Sequence, residues 1–576
     1  MKHTLLFIIK LWRIRLACIL KIAPVRSQIE LGNLWLESNQ QDRAISAYQR
    51  ALQNSCQSSQ TYHELGDAFY KVRQWNEAET AYKQAISLDD SFFWSHQSLG
   101  DVLVQQERWN EAELAYQQAI ALDDSFFWSH QNLANAFSQQ KRWKDAELAY
   151  RRSLELQPDL LESYEKLATA IAEQERWNEA IPIFIQGIVK RLQTSNEGDR
   201  KDCDRLIQCQ TELEEGVATW ETYQTLLNIL KEKQKWDVAA IVFWQAIVEY
   251  STRSWWEWHY ERLWNLTEKQ KKLNKFEVIF RKNIESDPNP LDNYLNLAEV
   301  LTRQGKLDEA IACHQQCSQQ ELLRRYPELP PETSFRPSYP DFTIIGCQKG
   351  GTTSLYYYLN EHPNLFLSLD KEIHFWSFNY KKGVQWYLAH FPAVPCDKPL
   401  VMGEASPTYL EFSTAPERMY REFPNMKLIV LLRNPVDRAI SHYYHWVRLN
   451  KETRPLEVAL TEQLDNALTV EKPAQIRNHY IARGLYLNFL KKWMQIYPIE
   501  QFLVLASEAF NADPNTIVQT THQFLGVPQY PLKTYKKYNS STYRSNHTEI
   551  RQKLAEFYRP HNQKLESFLG TTFNWS

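Results

Sequence analysis

Residues 91–100 read SFFWSHQSLG and residues 125–134 read SFFWSHQNLA, an offset of 34. The same period runs outward on both sides. Small residues recur at Gly32, Gly66, Gly100, Ala134 and Ala168, and again at Ala44, Ala78, Ala112, Ala146 and Ala180. An aromatic series follows at Tyr48, Tyr82, Tyr116, Tyr150 and Phe184, and a third small series at Ala51, Ala85, Ala119, Ser153 and Gly187. Five units in register make a stack: each unit leaves an apolar face that only its neighbours can cover. Trp75, Trp109, Trp143 and Trp177 mark the turns between paired helices. Composition agrees with helix. There are 15 glycines, where ordinary usage would give roughly 40, and loops and hairpins are what consume glycine.

The pattern resembles the tetratricopeptide repeat. In that family each unit is a helix-turn-helix whose small residues let adjacent helices pack closely while the aromatic fills the gap. The period weakens in a charged stretch at 190–215, returns in KQKWDVAAIVFWQAI (232–246) and is clear in NYLNLAEVLTRQGKLDEAIACHQQ (293–316). There Ala298 and Ala310 repeat the 12-residue spacing of Gly32 and Ala44. About seven or eight repeats are expected over 27–320. The resemblance implies a groove that takes a peptide or a neighbouring protein, with a purely structural stack as the alternative.

The 66 basic and 69 acidic residues leave a net charge of -3, which excludes a histone-like or tail-driven nucleic-acid binder. No nucleic-acid partner is expected. Eight cysteines are spread along the chain with no CxxC pair, so neither a disulfide framework nor a zinc finger is expected. Cys313 and Cys317, at i and i+4 of an expected helix, read as small apolar packing, and no metal site is assigned. Residues 1–26 contain Lys2, Lys10, Arg13, Arg15, Lys21 and Arg26, no acid, and no uninterrupted apolar run of 18 residues. A spanning helix is therefore not expected. Two readings stay open: a basic amphipathic helix in peripheral contact with an anionic membrane surface, and a helix that caps the first repeat.

PELPPETSFRPSYP (327–340) holds five prolines in fourteen residues, so 321–340 is expected to be an extended Pro-rich linker, with a second domain over 341–576. That domain opens DFTIIGCQKGGTTSLYYYLNEHP. A short β-branched run, Phe342 to Ile345, leads into a glycine-containing loop and then Thr352, Thr353 and Ser354 at the start of a helix. Free backbone N–H groups and the helix dipole at such a place favour a phosphate. A nucleoside triphosphatase would carry lysine directly before the hydroxyl residue; here Lys349 lies three positions earlier, and the later apolar strand ends in Arg433 where an acid that holds magnesium is expected. A nucleotide kinase is disfavoured on the same grounds. In LIVLLRNPVDRAISHYYH, Asn434 is the expected N-cap and Pro435 the first helical residue, which sets Arg433 at the strand end and Ser441 about two turns into the helix. Arginine and serine so placed can share one phosphate.

GCQKGGTTS (346–354) together with RNPVDRAIS (433–441) resembles the two cofactor-binding motifs of sulfotransferases that use 3'-phosphoadenosine 5'-phosphosulfate, PAPS. Between them KEIHFW (371–376), GVQWY (383–387), EASPTYL (404–410) and APERMYREFPNMKLIVLLRNP (415–435) are similar in order and spacing to the heparan sulfate sulfotransferase branch. The resemblance implies that Lys349 meets the 5'-phosphosulfate and the leaving oxygen. Gly350, Gly351, Thr352, Thr353 and Ser354 would cradle the 5'-phosphate, and Arg433 and Ser441 would hold the 3'-phosphate. Glu372 takes the catalytic-base position, and His374, two residues on, is expected on the same strand face. Lys536, Lys537 and Arg544 stand where the family has a basic cofactor loop, without a spacing that singles one out. The animal Golgi enzymes commonly carry a cysteine pair there; this chain has no cysteine after Cys396, which fits a reducing compartment and an expected cytoplasmic location, free or held at a membrane by 1–26. The expected architecture is an α-solenoid followed by an α/β domain with a parallel sheet and a P-loop-like phosphate-binding loop. The expected function is sulfuryl transfer from PAPS, without a metal, to a hydroxyl or amine of an acceptor such as a glycan, while the repeats recruit partner or substrate. The alternative is a repeat scaffold with a catalytically inactive nucleotide-binding domain.

Overall fold

The computed structural model describes residues 2–20, 24–193, 197–255, 260–287, 290–448, 451–470, 475–476, 478–532 and 547–575. The chain divides into two compact units, Met1–Ala246 and Ile247–Ser576.

In the first unit the repeats are antiparallel helix pairs: Pro24–Glu37 with Gln41–Leu52, Ser59–Lys71 with Trp75–Leu88, Phe93–Gln105 with Trp109–Leu122, Phe127–Gln139 with Trp143–Leu156, and Leu161–Glu173 with Trp177–Leu192. The 34-residue period has a direct packing cause. A Cβ on Gly32, Gly66 or Gly100 would stand 2.2, 2.4 or 2.4 Å from the ring of Tyr48, Tyr82 or Tyr116, so the small residue is the seat of the partner helix's aromatic. These three tyrosines and Tyr150 each donate their hydroxyl hydrogen at 2.7 Å to the residue after the small one: Asn33, Asp67, Asp101 and Asn135. The buried phenol thus keeps a polar partner. The recurrent tryptophans open the second helices rather than sit in the turns. The turns are made by left-handed Arg73, Glu107, Lys141 and Glu175. Helix Lys2–Ile19 packs on Pro24–Glu37, with the Arg15 guanidinium 5.7 Å from the centre of the Trp35 ring, while Trp12, Leu16, Ile19 and Leu20 are exposed. Among the described residues no helix is long and apolar enough to cross a membrane.

The second unit begins with helices Glu261–Lys269, Leu273–Ser286, Leu291–Arg303 and Leu307–Arg325 and continues into an α/β fold. Its strands are β1 (Phe335–Arg336), β2 (Phe342–Gly346), β3 (Leu365–Leu367), β4 (Val394–Pro395), β5 (Val401–Ala405), β6 (Lys427–Leu432) and β7 (Phe502–Ala506). β1 and β4 form a small antiparallel ribbon, and the other five a parallel sheet in the order β3-β5-β2-β6-β7. Ile345, Met402, Leu428, Val430 and Leu432 fill one face; Phe342, Ile344, Ala405, Ile429 and Leu431 fill the other. Burial on both faces is why β3, β6 from Leu428 on and β7 read as unbroken apolar runs. β2 is central, and its carboxyl end and that of β6 emerge side by side, where open α/β sheets bind ligands.

The segment expected as a linker differs in form. Residues 321–325 complete the last repeat helix, and 335–336 pair with β4. That helix docks: Ser318 Oγ donates to the Ala389 carbonyl at 3.1 Å, Arg325 to the carbonyls of Leu365 (2.9 Å) and Asn360, and Tyr326 Oη to that of Pro363. His314 stacks on His390 with ring centres 4.1 Å apart. Leu322 and Tyr326 belong to the same apolar cluster as Trp386, Phe391 and Met402, so apolar packing rather than proline stiffness governs this junction. A fragment that starts at residue 335 is therefore expected to be markedly less stable than one that starts at 247. Thermal melts of the two would check this, and equal midpoints would contradict it.

Candidate active site

The site is assembled at the carboxyl end of β2. Left-handed Lys349 (φ 69°) and Gly351 (φ 98°) fold residues 347–351 back on themselves before helix Thr352–Asn360 begins. The Cys347 amide donates to the Leu431 carbonyl at 2.8 Å, which pins the loop to β6. A Cβ on Gly350 would lie 2.5 Å from that same carbonyl oxygen, so only glycine fits. The amides of Thr352, Thr353 and Ser354 are the first of the helix, at the end where the dipole favours an anion.

Arg433 follows β6, and its Nη1 donates to the Lys349 carbonyl at 3.0 Å, so the two sequence motifs meet directly. The Asn434 side chain accepts from the Val436 amide at 2.9 Å, which caps helix Pro435–Arg448 as expected. Ser441 is buried on that helix. His445 and Arg448, four and seven residues on, share its face. Burial and the charges of Arg448 and Arg433 push the Lys349 pKa down to about 8, against a smaller opposing pull from Glu372. Burial, together with Lys349 and Arg448, pushes His445 down to about 4. A desolvated lysine that feels the charge of two guanidiniums makes a site that favours an anion.

Glu372 and His374 come together, but not on a strand. Both are left-handed, at φ 73° and 54°, in a tight turn that runs into a π-helical turn at Phe375–Asn379. The turn is tied to the end of β5: the Glu372 amide donates to Ala405 O at 2.9 Å and the His374 amide to Ser406 Oγ at 3.1 Å. Ser406 Oγ in turn donates to buried Glu404 at 2.7 Å. Glu372 Oε1 lies 2.6 Å from Lys371 Nζ, and its Oε2 lies 3.4 Å from His374 Nε2; Thr408 Oγ1 is 2.9 Å from His374 Nδ1. An imidazole protonated on Nε2, with Thr408 donating to Nδ1, satisfies both contacts. Burial alone would raise the Glu372 pKa; the Lys371 ammonium and the His374 hydrogen bond outweigh it and hold the carboxyl well below its ordinary range. Both side chains remain about a quarter exposed, at 28% and 26%, so an acceptor can reach them.

A separate pocket of about 500 Å³, lined by Tyr358, Phe510 and Asp513 among others, touches the expected set only at Ser354. Lys536, Lys537 and Arg544 lie outside the described residues.

A model of the sulfotransferase domain matches residues 339–570, and a tetratricopeptide-repeat model matches 294–325. A third model, the C-terminal domain of cilia and flagella-associated protein 70, matches 16–206. Human heparan sulfate glucosamine 3-O-sulfotransferase 5 is 30% identical over 263 residues, which cover 41% of this chain and 74% of that relative. The chain belongs to the sulfotransferase family. Bifunctional heparan sulfate N-deacetylase/N-sulfotransferase 1 of Caenorhabditis elegans is 31% identical over 225 residues, 38% of this chain and 26% of that one, so the chain spans about a quarter of that relative. A crystal structure of a sulfotransferase from Alicyclobacillus acidocaldarius is 29% identical, with a TM-score of 0.35, over 41% of this chain and 97% of that one.

Several neighbours of the site lie outside the residues that the two motifs mark. His445 and Arg448 are legible once Ser441 is placed, since i+4 and i+7 share a helix face. Arg483 had no local signal. It is buried, pairs with buried Glu411, and donates from Nη1 to Gln348 Oε1 at 2.5 Å, which holds the residue next to Lys349.

Proposed function

We propose that this protein moves a sulfuryl group from PAPS to a hydroxyl or amine of an acceptor, with a glycan as the favoured class. The observation that carries the reading is the convergence of Lys349, Arg433 and the Glu372–His374 pair at the carboxyl ends of adjacent parallel strands. The desolvated cationic cluster and the open helix start suit a bisphosphorylated nucleotide. Bound PAPS supplies the sulfuryl group, whose bond to the 5'-phosphate oxygen breaks as the acceptor oxygen or nitrogen bonds to sulfur. The chain's own groups do the rest. The amides of Thr352, Thr353 and Ser354, with Gly350 and Gly351 allowing close approach, hold the 5'-phosphate. Lys349 neutralises charge on the departing oxygen. Arg433 and Ser441 hold the 3'-phosphate. Glu372, ionised throughout the neutral range, receives the acceptor's proton, and His374, held by Thr408, orients it. The glycan class rests on the heparan sulfate relatives, and peptide recruitment by the repeats rests on the solenoid itself.

Arg433→Ala is expected to weaken binding of adenosine 3',5'-bisphosphate by about 1.5–3 kcal/mol, the value of a charge-assisted hydrogen bond, and Ser441→Ala by less. Titration with the 3',5'-bisphosphate and with the 5'-monophosphate checks this. Wild-type protein that binds both equally would show that the 3'-phosphate assignment is wrong.

The depressed pKa of Lys349 predicts a pH dependence. In the free protein the ammonium loses its proton as pH rises through about 8. The phosphate binds the charged form, so above that pH binding takes up a proton and affinity falls toward a factor of about ten per pH unit. Calorimetry across that range in Lys349→Met should lose this limb. A limb that persists in the variant assigns the proton to another group.

A further inference from the structure

Two successive repeats carry an aromatic run that their neighbours lack. Phe92, Phe93 and Trp94 begin helix Phe93–Gln105, and Phe126, Phe127 and Trp128 begin helix Phe127–Gln139. Five of the six rings form one continuous ladder: Phe93 and Trp94 each meet Phe126 edge-on at 5.2 Å, Phe126 lies 6.0 Å from Phe127, and Phe127 lies 5.0 Å from Trp128, while Phe92 meets His63 edge-on at 5.2 Å. The ladder is not spent on the core, since Trp94 is 48% and Trp128 42% exposed. One period before Trp94 the chain has Gln60, and one period after Trp128 it has Glu162, both exposed and polar, yet helices Ser59–Lys71 and Leu161–Glu173 form in the same way. The repeat fold therefore does not require tryptophan at this position.

Charge identifies the occupant. Each aromatic run is preceded by two aspartates, Asp89 and Asp90 before the first and Asp123 and Asp124 before the second. Asp89 and Asp123 accept hydrogen bonds from the amides and hydroxyls of Ser91 and Ser125, which fixes the two turns in the same form. Asp90 and Asp124 are exposed; Asp124 already pairs within the repeats with Arg152 at 2.5 Å and lies 3.2 Å from His130 Nε2, which shows that a carboxylate on this edge engages cationic side chains. Exposed indole faces attract a cation, and a carboxylate four residues before each in the chain adds its charge. The Asp90 carboxylate disfavours a sulfated glycan or an anionic lipid surface.

We propose that the Phe92–Trp94 and Phe126–Trp128 ladder is a docking surface for a basic, apolar peptide segment of a partner protein. It is independent of the catalytic assignment, because none of its residues belongs to the sulfuryl-transfer site. The test uses the full chain and fluorescence anisotropy with labelled short peptides in which lysine or arginine alternates with leucine or phenylalanine, beside matched peptides with glutamate in place of the bases. Unlabelled cello-oligosaccharide serves as a neutral-glycan competitor. The basic peptides are expected to bind, and the glutamate peptides are not. Trp94→Gln with Trp128→Gln, which installs a residue that the repeat already tolerates, should weaken binding by about tenfold or more with an unchanged melting temperature. Asp90→Asn with Asp124→Asn should weaken it several-fold and flatten its dependence on salt. Failure of every basic peptide to bind, equal affinity in the double tryptophan variant, preference for the glutamate peptides, or displacement by the neutral oligosaccharide would each overturn the proposal.

Discussion

Glu372→Gln is expected to lower sulfuryl-transfer turnover by about 10²- to 10⁴-fold while affinity for adenosine 3',5'-bisphosphate stays unchanged. The amide keeps the size of the carboxylate and, through its single oxygen, the contact with Lys371, but its NH2 cannot accept from His374 Nε2 and it cannot take the acceptor's proton. The carboxyl is held well below its usual range by Lys371, so it is ionised at any neutral pH and its titration sets no acid limb there. Lys349→Ala should differ in kind. It removes charge at the leaving oxygen and from the ground-state phosphosulfate, so both transfer and nucleotide affinity should fall. Steady-state rates with nucleotide titrations separate the two patterns. Near-normal turnover in Glu372→Gln would move the base elsewhere, with His374 the first candidate.

Arg483→Met is expected to destabilise the second unit by about 3–5 kcal/mol, because it leaves the Glu411 carboxylate buried without its partner. Both side chains are almost wholly inaccessible, at 2% and 8% exposure, so solvent cannot take over. Arg483→Met combined with Glu411→Leu should recover most of that loss, since a buried ion pair can be exchanged for apolar packing at little net change. Nucleotide affinity should not recover with it, because Gln348 has lost the guanidinium that fixes it beside Lys349. Urea denaturation and nucleotide binding on the single and double variants check both halves. A single variant as stable as wild type would show that Glu411 finds other partners, and full binding in the double variant would remove Arg483 from any part in positioning the loop.

The contrast between those two residues shows what a sequence makes legible. Gly350, Gly351 and Thr352 are contiguous, and the chemistry of a strand, loop and helix start is local, so the phosphate loop reads directly from its letters. The repeats are legible for a related reason: Gly100 and Tyr116 are tied by one contact copied every 34 residues, and copying turns a packing event into a period. Arg483 meets Gln348 across 135 residues, and no spacing rule carries that. His374 shows the intermediate case. Its partnership with Glu372 followed from their i, i+2 relation, but the geometry came from two left-handed residues held by Ser406 and Ala405, whose role lies in a separate segment. The junction at 321–340 misled because its prolines are local, whereas the apolar side chains of Leu322 and Tyr326 find their partners far along the chain.

The most direct measurement is transfer of radiolabelled sulfate from PAPS to a panel of glycan, lipid and peptide acceptors, run with wild-type protein, Lys349→Ala and Glu372→Gln. The geometry at the ends of β2 and β6 predicts label on at least one acceptor, a glycan first, with release of adenosine 3',5'-bisphosphate and loss of transfer in both variants. Wild-type protein that binds the nucleotide yet labels no acceptor would contradict it, as would transfer that both variants carry out at the wild-type rate.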